Sequence, residues 1–179
     1  MRYGYYSFFL LLAACKPPHL QPFALDQRVT VILPSQPHLL DAHKVPGLKH
    51  PERVKVWGLR TLGGTYQLTR AVNPAKYITA RDTAILRTYY ARHLTAIRKY
   101  NAHNITATPF AVGGVEGMEF VYTRVRQPGT PPSTCYLRCF ARDSVGYSLV
   151  FVPATYVRLL AALSDRQRNS FFNSLTVKP

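Results

Sequence analysis

Acidic side chains are scarce: eight aspartates and glutamates stand against 23 lysines and arginines in 179 residues. That supply leaves few carboxylates for paired acid–base work. Neither G-x-S-x-G nor H-E-x-x-H occurs, and no Cys–His nucleophile arrangement stands out, so no ready-made hydrolase motif is present. Gly63-Gly64 is no phosphate loop, because no Lys-Ser/Thr follows it. There is no internal repeat, no low-complexity tract and no apolar run near the ~20 residues that a membrane-spanning helix needs. The sequence excludes more activities than it suggests.

What is present in excess is positive charge, a formal +15, and sixteen of the basic residues are arginines. Such a balance ordinarily raises nucleic acid as a partner. Here the basic residues are scattered, with no run longer than Arg98-Lys99. The plainer reading is a basic solvated surface. The functional alternative is attraction to anionic lipid headgroups, cell-wall polymers or an acidic partner protein.

The N-terminus explains why nucleic acid is the weaker expectation. Arg2 supplies a thin positive region, Phe8 to Leu12 an apolar one, and Ala13-Ala14 the small side chains a signal peptidase cleft requires. Leu12-Ala13-Ala14-Cys15 resembles the lipobox of bacterial lipoproteins. That resemblance implies removal of residues 1–14, a diacylglycerol on the Cys15 sulfur and acylation of its new amine. Two or three chains, at ~0.8 kcal/mol per buried methylene, make a durable anchor. Pro17-Pro18 favours an extended tether over residues 15–22, ahead of a single domain at 23–179. Lys16 after the cysteine resembles the sorting pattern of lipoproteins on the periplasmic face of the outer membrane.

Within the domain, Arg28 to Leu33 reads as a strand stopped by Pro34. Residues 38–52 read as a loop holding His38, Asp41, His43 and His50. Their spacing fits no compact ligand set, and neither a metal nor another cofactor is expected. Alternating patterns predict strands at 53–57 and 65–71 across Gly63-Gly64, at 104–112 and 115–124 across Gly113-Gly114, and at 135–143 and 146–152. A helix is predicted from Asp82 to Tyr100, with Ile85, Leu86, Tyr89, Tyr90, Leu94, Ala96, Ile97 and Tyr100 on its apolar half and His93 within that arc as a core histidine. Ser164-Asp165-Arg166-Gln167 reads as a capping box opening a last helix through Phe171, Phe172 and Leu175.

Cys135 and Cys139 share a strand face ~13 Å apart, beyond disulfide reach, so two core thiols are expected unless a bulge brings them together. The opposite face carries Tyr136, Arg138, Phe140 and Arg142. If open, these four are the candidate binding residues for an anion or an acidic, aromatic-seeking partner. Otherwise the arginines stack on aromatics or pair with Glu116 and Glu119.

Val31-Ile32-Leu33-Pro34 and the closing Phe171-Phe172-Asn173-Ser174-Leu175, in this order of elements, resemble the PsbP-like α/β/α sandwich over residues 23–177. The resemblance implies an α+β fold, an antiparallel sheet with the long helix and the C-terminal helix packed on it. It also implies a non-catalytic binding or assembly role. Three functions follow as expectations: a membrane-anchored envelope lipoprotein that binds or scaffolds an envelope protein; a basic sensor or carrier of an anionic small molecule, headgroup or polymer; and an envelope enzyme with an unrecognised site.

Overall fold

Tight turns fold the middle of the chain into a ladder of hairpins. The computed structural model describes residues 20–45, 48, 50–72, 83–125, 131–154 and 160–178, with the backbone alone for 83–85. Strands β1 (Gln21–Ala24), β2 (Val29–Leu33) and β3 (His38–Leu40) precede the hairpin of β4 (Val54–Arg60) and β5 (Gly64–Val72). Helix α1 (Thr83–Lys99) leads to the hairpin of β6 (Ala102–Val112) and β7 (Val115–Arg124), then to that of β8 (Ser133–Arg142) and β9 (Val145–Pro153). Helix α2 (Ala161–Asn173) and β10 (Thr176–Val177) close the chain.

The turns explain themselves locally. Gly113 and Gly114 have φ of 54° and 74°, the backbone a two-residue hairpin turn demands. Gly113 is doubly constrained, since a Cβ there would lie 2.1 Å from the Val177 carbonyl oxygen. At β8–β9 the same turn is made by Asp143 and Ser144, with φ of 47° and 66°. All three predicted hairpins are present. The strand at 38–40 was not expected; the loop read there contains a short edge strand paired to β4.

The sheet that results has seven antiparallel strands in the order β3-β4-β5-β9-β8-β7-β6. Its pairing of β5 with β9, Gly64 opposite Pro153 through Val72 opposite Val145, joins hairpins that lie far apart in sequence. Pro109 sits in β6, an edge strand, where a missing N–H costs no ladder bond. One face of the sheet takes α1. Leu86 and Ile97 are buried there, with Tyr89, Tyr90, His93 and Leu94 packed beside them. Ala96 and Tyr100, assigned to the apolar half by periodicity, are exposed. The helix covers only part of the sheet, and it stops at Lys99 because Asn101 turns the chain with φ 53°.

The other face takes α2 and a second sheet, in the order β1-β2-β10. Val29, Val31 and Leu33 of β2 are fully buried against Leu59, Tyr66, Leu68, Leu149 and Phe151 of the main sheet, with Phe171 and Phe172 of α2. Each side chain so buried contributes ~1.5–3 kcal/mol. The capping box is a correction. Helix α2 begins three residues before Ser164, whose hydroxyl donates to the Gly63 carbonyl instead of capping the helix. Gln167 likewise faces the β4–β5 turn, where its Oε1 accepts from the Thr61 hydroxyl at 2.9 Å and the Tyr66 hydroxyl at 3.1 Å. These side chains serve the sheet contact, and the helix stops at Asn173, short of Leu175. No helix among the described residues is long and apolar enough to cross a membrane.

Candidate functional site

The alternation Tyr136, Arg138, Phe140, Arg142 in β8 does point to one face, and α2 lies over most of it. Arg138 Nε donates to Glu119, directly opposite on β7, and its Nη1 to the Phe172 carbonyl at 2.9 Å. Its guanidinium lies 5.1 Å from the Phe110 ring centre and 4.8 Å from that of Phe172. The Tyr136 ring is covered by Arg168 at 4.5 Å. Phe140 is fully buried, stacked on Tyr147 with centroids 4.9 Å apart. Three of the four candidates are thus engaged within the protein. Cys135 and Cys139, on the reverse face, are both buried thiols.

Arg142 is the fourth, and it reaches a cleft that periodicity did not reveal. The cleft, of about 490 Å³, opens between the β1–β2 turn and the main sheet. Asp26 is its structural centre. Oδ1 accepts from the Arg28 and Val29 amides at 2.9 and 3.0 Å, fixing the turn. Oδ2 accepts from Arg70 Nε at 2.9 Å and from the Tyr147 hydroxyl, tying that turn to β5 and β9. Burial pushes the Asp26 carboxyl up, but the hydrogen bonds from Tyr147, the Arg28 amide, Arg70 and the Val29 amide outweigh it and hold the group below its ordinary value. Burial, then the Asp26 contact, raises the Tyr147 phenol.

Around this centre stand Arg28, Lys55, Arg70 and Arg142, faced among the described residues by Asp26 and Asp143. Arg28 and Arg142 share the single Asp143 carboxylate. Arg142 also donates to the Lys178 carbonyl. Lys55 and Arg70 are directly opposite each other in the β4–β5 ladder. The signal that would have found the cleft in the sequence is this register: once β4 and β5 are aligned, two cations fall side by side on a half-buried face. Asp26 and Arg28 are brought in only by tertiary contact.

A second groove, about 530 Å³, runs between α1 and the exposed part of its sheet face. His93, Tyr89, Tyr100 and Tyr122 line it with Gln67, Thr69 and Ser148, and among the described residues no carboxylate lines it. The His93 ring meets Tyr89 edge-on at 4.7 Å. Burial lowers its pKa from 6.5 to about 4. The unfolded chain therefore takes up this proton first, so stability drains as pH falls from 6.5 to about 4, by about 3 kcal/mol at most. Thermal melts should show that slope in the wild type and its loss in His93→Phe. A wild-type curve flat across the window would mean that the ring charges freely. Among the described residues no three His, Cys, Asp or Glu side chains gather to hold a metal.

The arrangement of a seven-stranded antiparallel sheet between α1 on one side and α2 with a small sheet on the other recurs in a solved structure. The cyanobacterial PsbP protein CyanoP of Synechocystis sp. PCC 6803 matches with a TM-score of 0.60 over 92% of this chain and 95% of that one, at 14% identity. The fold is PsbP-like. The PsbP-like domain here is an α+β sandwich, as the strand order and closing Phe171-Phe172-Asn173-Ser174-Leu175 led one to expect. LpqN of Mycobacterium tuberculosis, described as involved in cell envelope biogenesis, aligns over 90% of this chain and 92% of its own with 13% identity and a TM-score of 0.47. The sequence matches no protein-family model and no curated protein. Cys15, its leader and the part of the predicted 15–22 tether up to His19 lie outside the described residues, as does the predicted cap Asp82, while Gln21 and Pro22, read as tether, pair with β2 as the start of β1.

Proposed function

We propose that this chain is a bacterial envelope lipoprotein, held to the outer membrane through acyl chains on Cys15, whose PsbP-like domain is a non-catalytic binding or assembly module. The observation that carries the reading is Leu12-Ala13-Ala14-Cys15, placed at the end of a short apolar run after Arg2 and ahead of Pro17-Pro18. The folded domain supports it: β1 begins at Gln21, so few residues separate the cysteine from the first strand. Such spacing suits a domain tethered close to its membrane. Partners of the module are an envelope protein or an anionic ligand, and nucleic acid is not among them.

The test is to express wild type and Cys15→Ala in a bacterial host and compare intact mass and membrane fraction. The wild type should begin at residue 15 with the mass of its acyl chains and sediment with outer membranes. Cys15→Ala should shift almost wholly to a soluble or unprocessed pool. A wild type that keeps Met1 and carries no lipid would sink the reading and return nucleic acid to consideration.

A further inference from the structure

The cleft at Asp26 holds more cation than the fold can use. Like charges directly opposite in an antiparallel ladder have Cβ atoms only ~4.5–5.5 Å apart and destabilise the pair. Lys55 and Arg70 are such a pair. Asp26 answers Arg70 through Nε, and the Tyr147 hydroxyl, which itself donates to Asp26, is the other group beside that guanidinium. Among the described residues Lys55 has no carboxylate partner there. On the other wall Arg28 and Arg142 divide one aspartate between them. Among the described residues, four cations against two carboxylates leave an excess of two positive charges around one concave space.

The concentration has a shape as well as a sign. Arg70 and Arg142 are mostly buried, with side chains 24% and 18% exposed, so their guanidinium groups are fixed rather than free to swing into solvent. Asp26 already accepts from four donors, which makes it a brace for Arg70 and Tyr147 and not a competing acceptor for the cleft. Fixed forks of donors beside a mobile ammonium suit a tetrahedral oxyanion. The net positive charge of the cleft accommodates a phosphate group, whether the singly charged phosphodiester of a headgroup or the more highly charged free ion. A scatter of solvated surface charge would show none of this: no shared counter-ion, no like pair in register, no cavity.

We propose that the cleft walled by Arg28, Lys55, Arg70 and Arg142 is a binding site for a phosphate group, supplied either as a free phosphate or as an anionic phospholipid headgroup. This deepens the binding-module reading and rests on it, but it does not depend on the anchor. Arg70 and Arg142 hold the oxyanion through the guanidinium nitrogens not already spent on Asp26, Asp143 and the Lys178 carbonyl, and the exposed Lys55 of β4 closes over it.

The experiment uses the full chain purified in a nonionic detergent at low ionic strength. It is titrated with inorganic phosphate against chloride at matched ionic strength, and with water-soluble short-chain phosphatidylglycerol against phosphatidylcholine of the same chain length. Lys55→Gln, which removes a like-charge neighbour and leaves Asp26 untouched, should keep the wild-type melting temperature and weaken binding at least tenfold. Lys55→Arg should restore it to within about threefold, and Lys99→Gln, the same charge change on α1, should leave it unaltered. Binding of phosphate identifies the free ion as the source, and binding of phosphatidylglycerol alone identifies the headgroup. A wild type blind to both overturns the proposal, as does equal affinity for phosphatidylcholine or equal weakening by Lys55→Gln and Lys99→Gln. The intact mass of the same preparation reports Cys15 acylation separately. An unacylated chain that binds phosphate removes the anchor and keeps the cleft; an acylated chain that ignores both probes removes the cleft alone.

Discussion

Phe140→Ala should lower the stability of the domain by about 3–5 kcal/mol, a large part of the ~5–15 kcal/mol that a typical domain possesses. The ring is fully buried, lies flat against Tyr147 at 4.9 Å and meets Phe110 edge-on at 6.4 Å. Its removal loses apolar burial and opens a cavity that the surrounding strands, fixed by ladder bonds on both sides, cannot collapse into. The denaturation midpoint should fall sharply while the slope of the transition stays constant. Had Phe140 been a solvent-facing binding residue, the same change would alter stability by no more than ~0.5 kcal/mol. A small effect would therefore restore it as a surface contact.

Asp26→Ala should cost about 2–4 kcal/mol at neutral pH, by a different route. It strips the partner from two backbone amides, from Arg70 Nε and from the Tyr147 hydroxyl at once. The β1–β2 turn then loses its tie to the main sheet. The pH dependence carries a fixed sign. The Asp26 carboxyl is held below its ordinary value on folding, so its contribution is fully present above the unfolded pKa of ~3.9 and is lost as pH falls through the folded one. The stability gap between wild type and Asp26→Ala should be constant from neutral pH to about 4 and narrow only below it. That window lies beneath the one assigned to His93, so the two groups separate in a single titration. A gap that closes already near pH 6 would refute the assignment.

Much of the fold was legible because its contacts are local. Gly113-Gly114 announces a hairpin in two residues, and Tyr66 and Leu68 reveal the buried side of β5 by alternation alone. What periodicity does not carry is pairing between distant segments. The β5–β9 junction unites two hairpins into one sheet, and nothing in Gln67 or Val150 names the other. The small sheet is hidden for the same reason, since Thr176-Val177 is too short to register as a strand until Val29 and Thr30 lie beside it. Ser164 misled because a capping pattern and a sheet contact use the same hydroxyl. The candidate site divided along this line. Arg138 and Glu119 were readable as a pair from strand alignment, whereas Asp26, Arg70 and Tyr147 meet only after three elements have packed.

The position of β10 also dictates when the domain can finish folding. Strand β2 is flanked by β1, its near neighbour in sequence, and by β10, nearly 150 residues later. A chain synthesised from its N-terminus presents Val29, Val31 and Leu33 long before their last cover exists. Closure of this layer demands a loop spanning almost the whole domain, the costliest order in which to make contacts. The small sheet is complete only once Thr176 and Val177 lie beside Thr30 and Val29. A strand of two residues thus ties the completion of the small sheet to the last few positions of the sequence, beyond the end of α2.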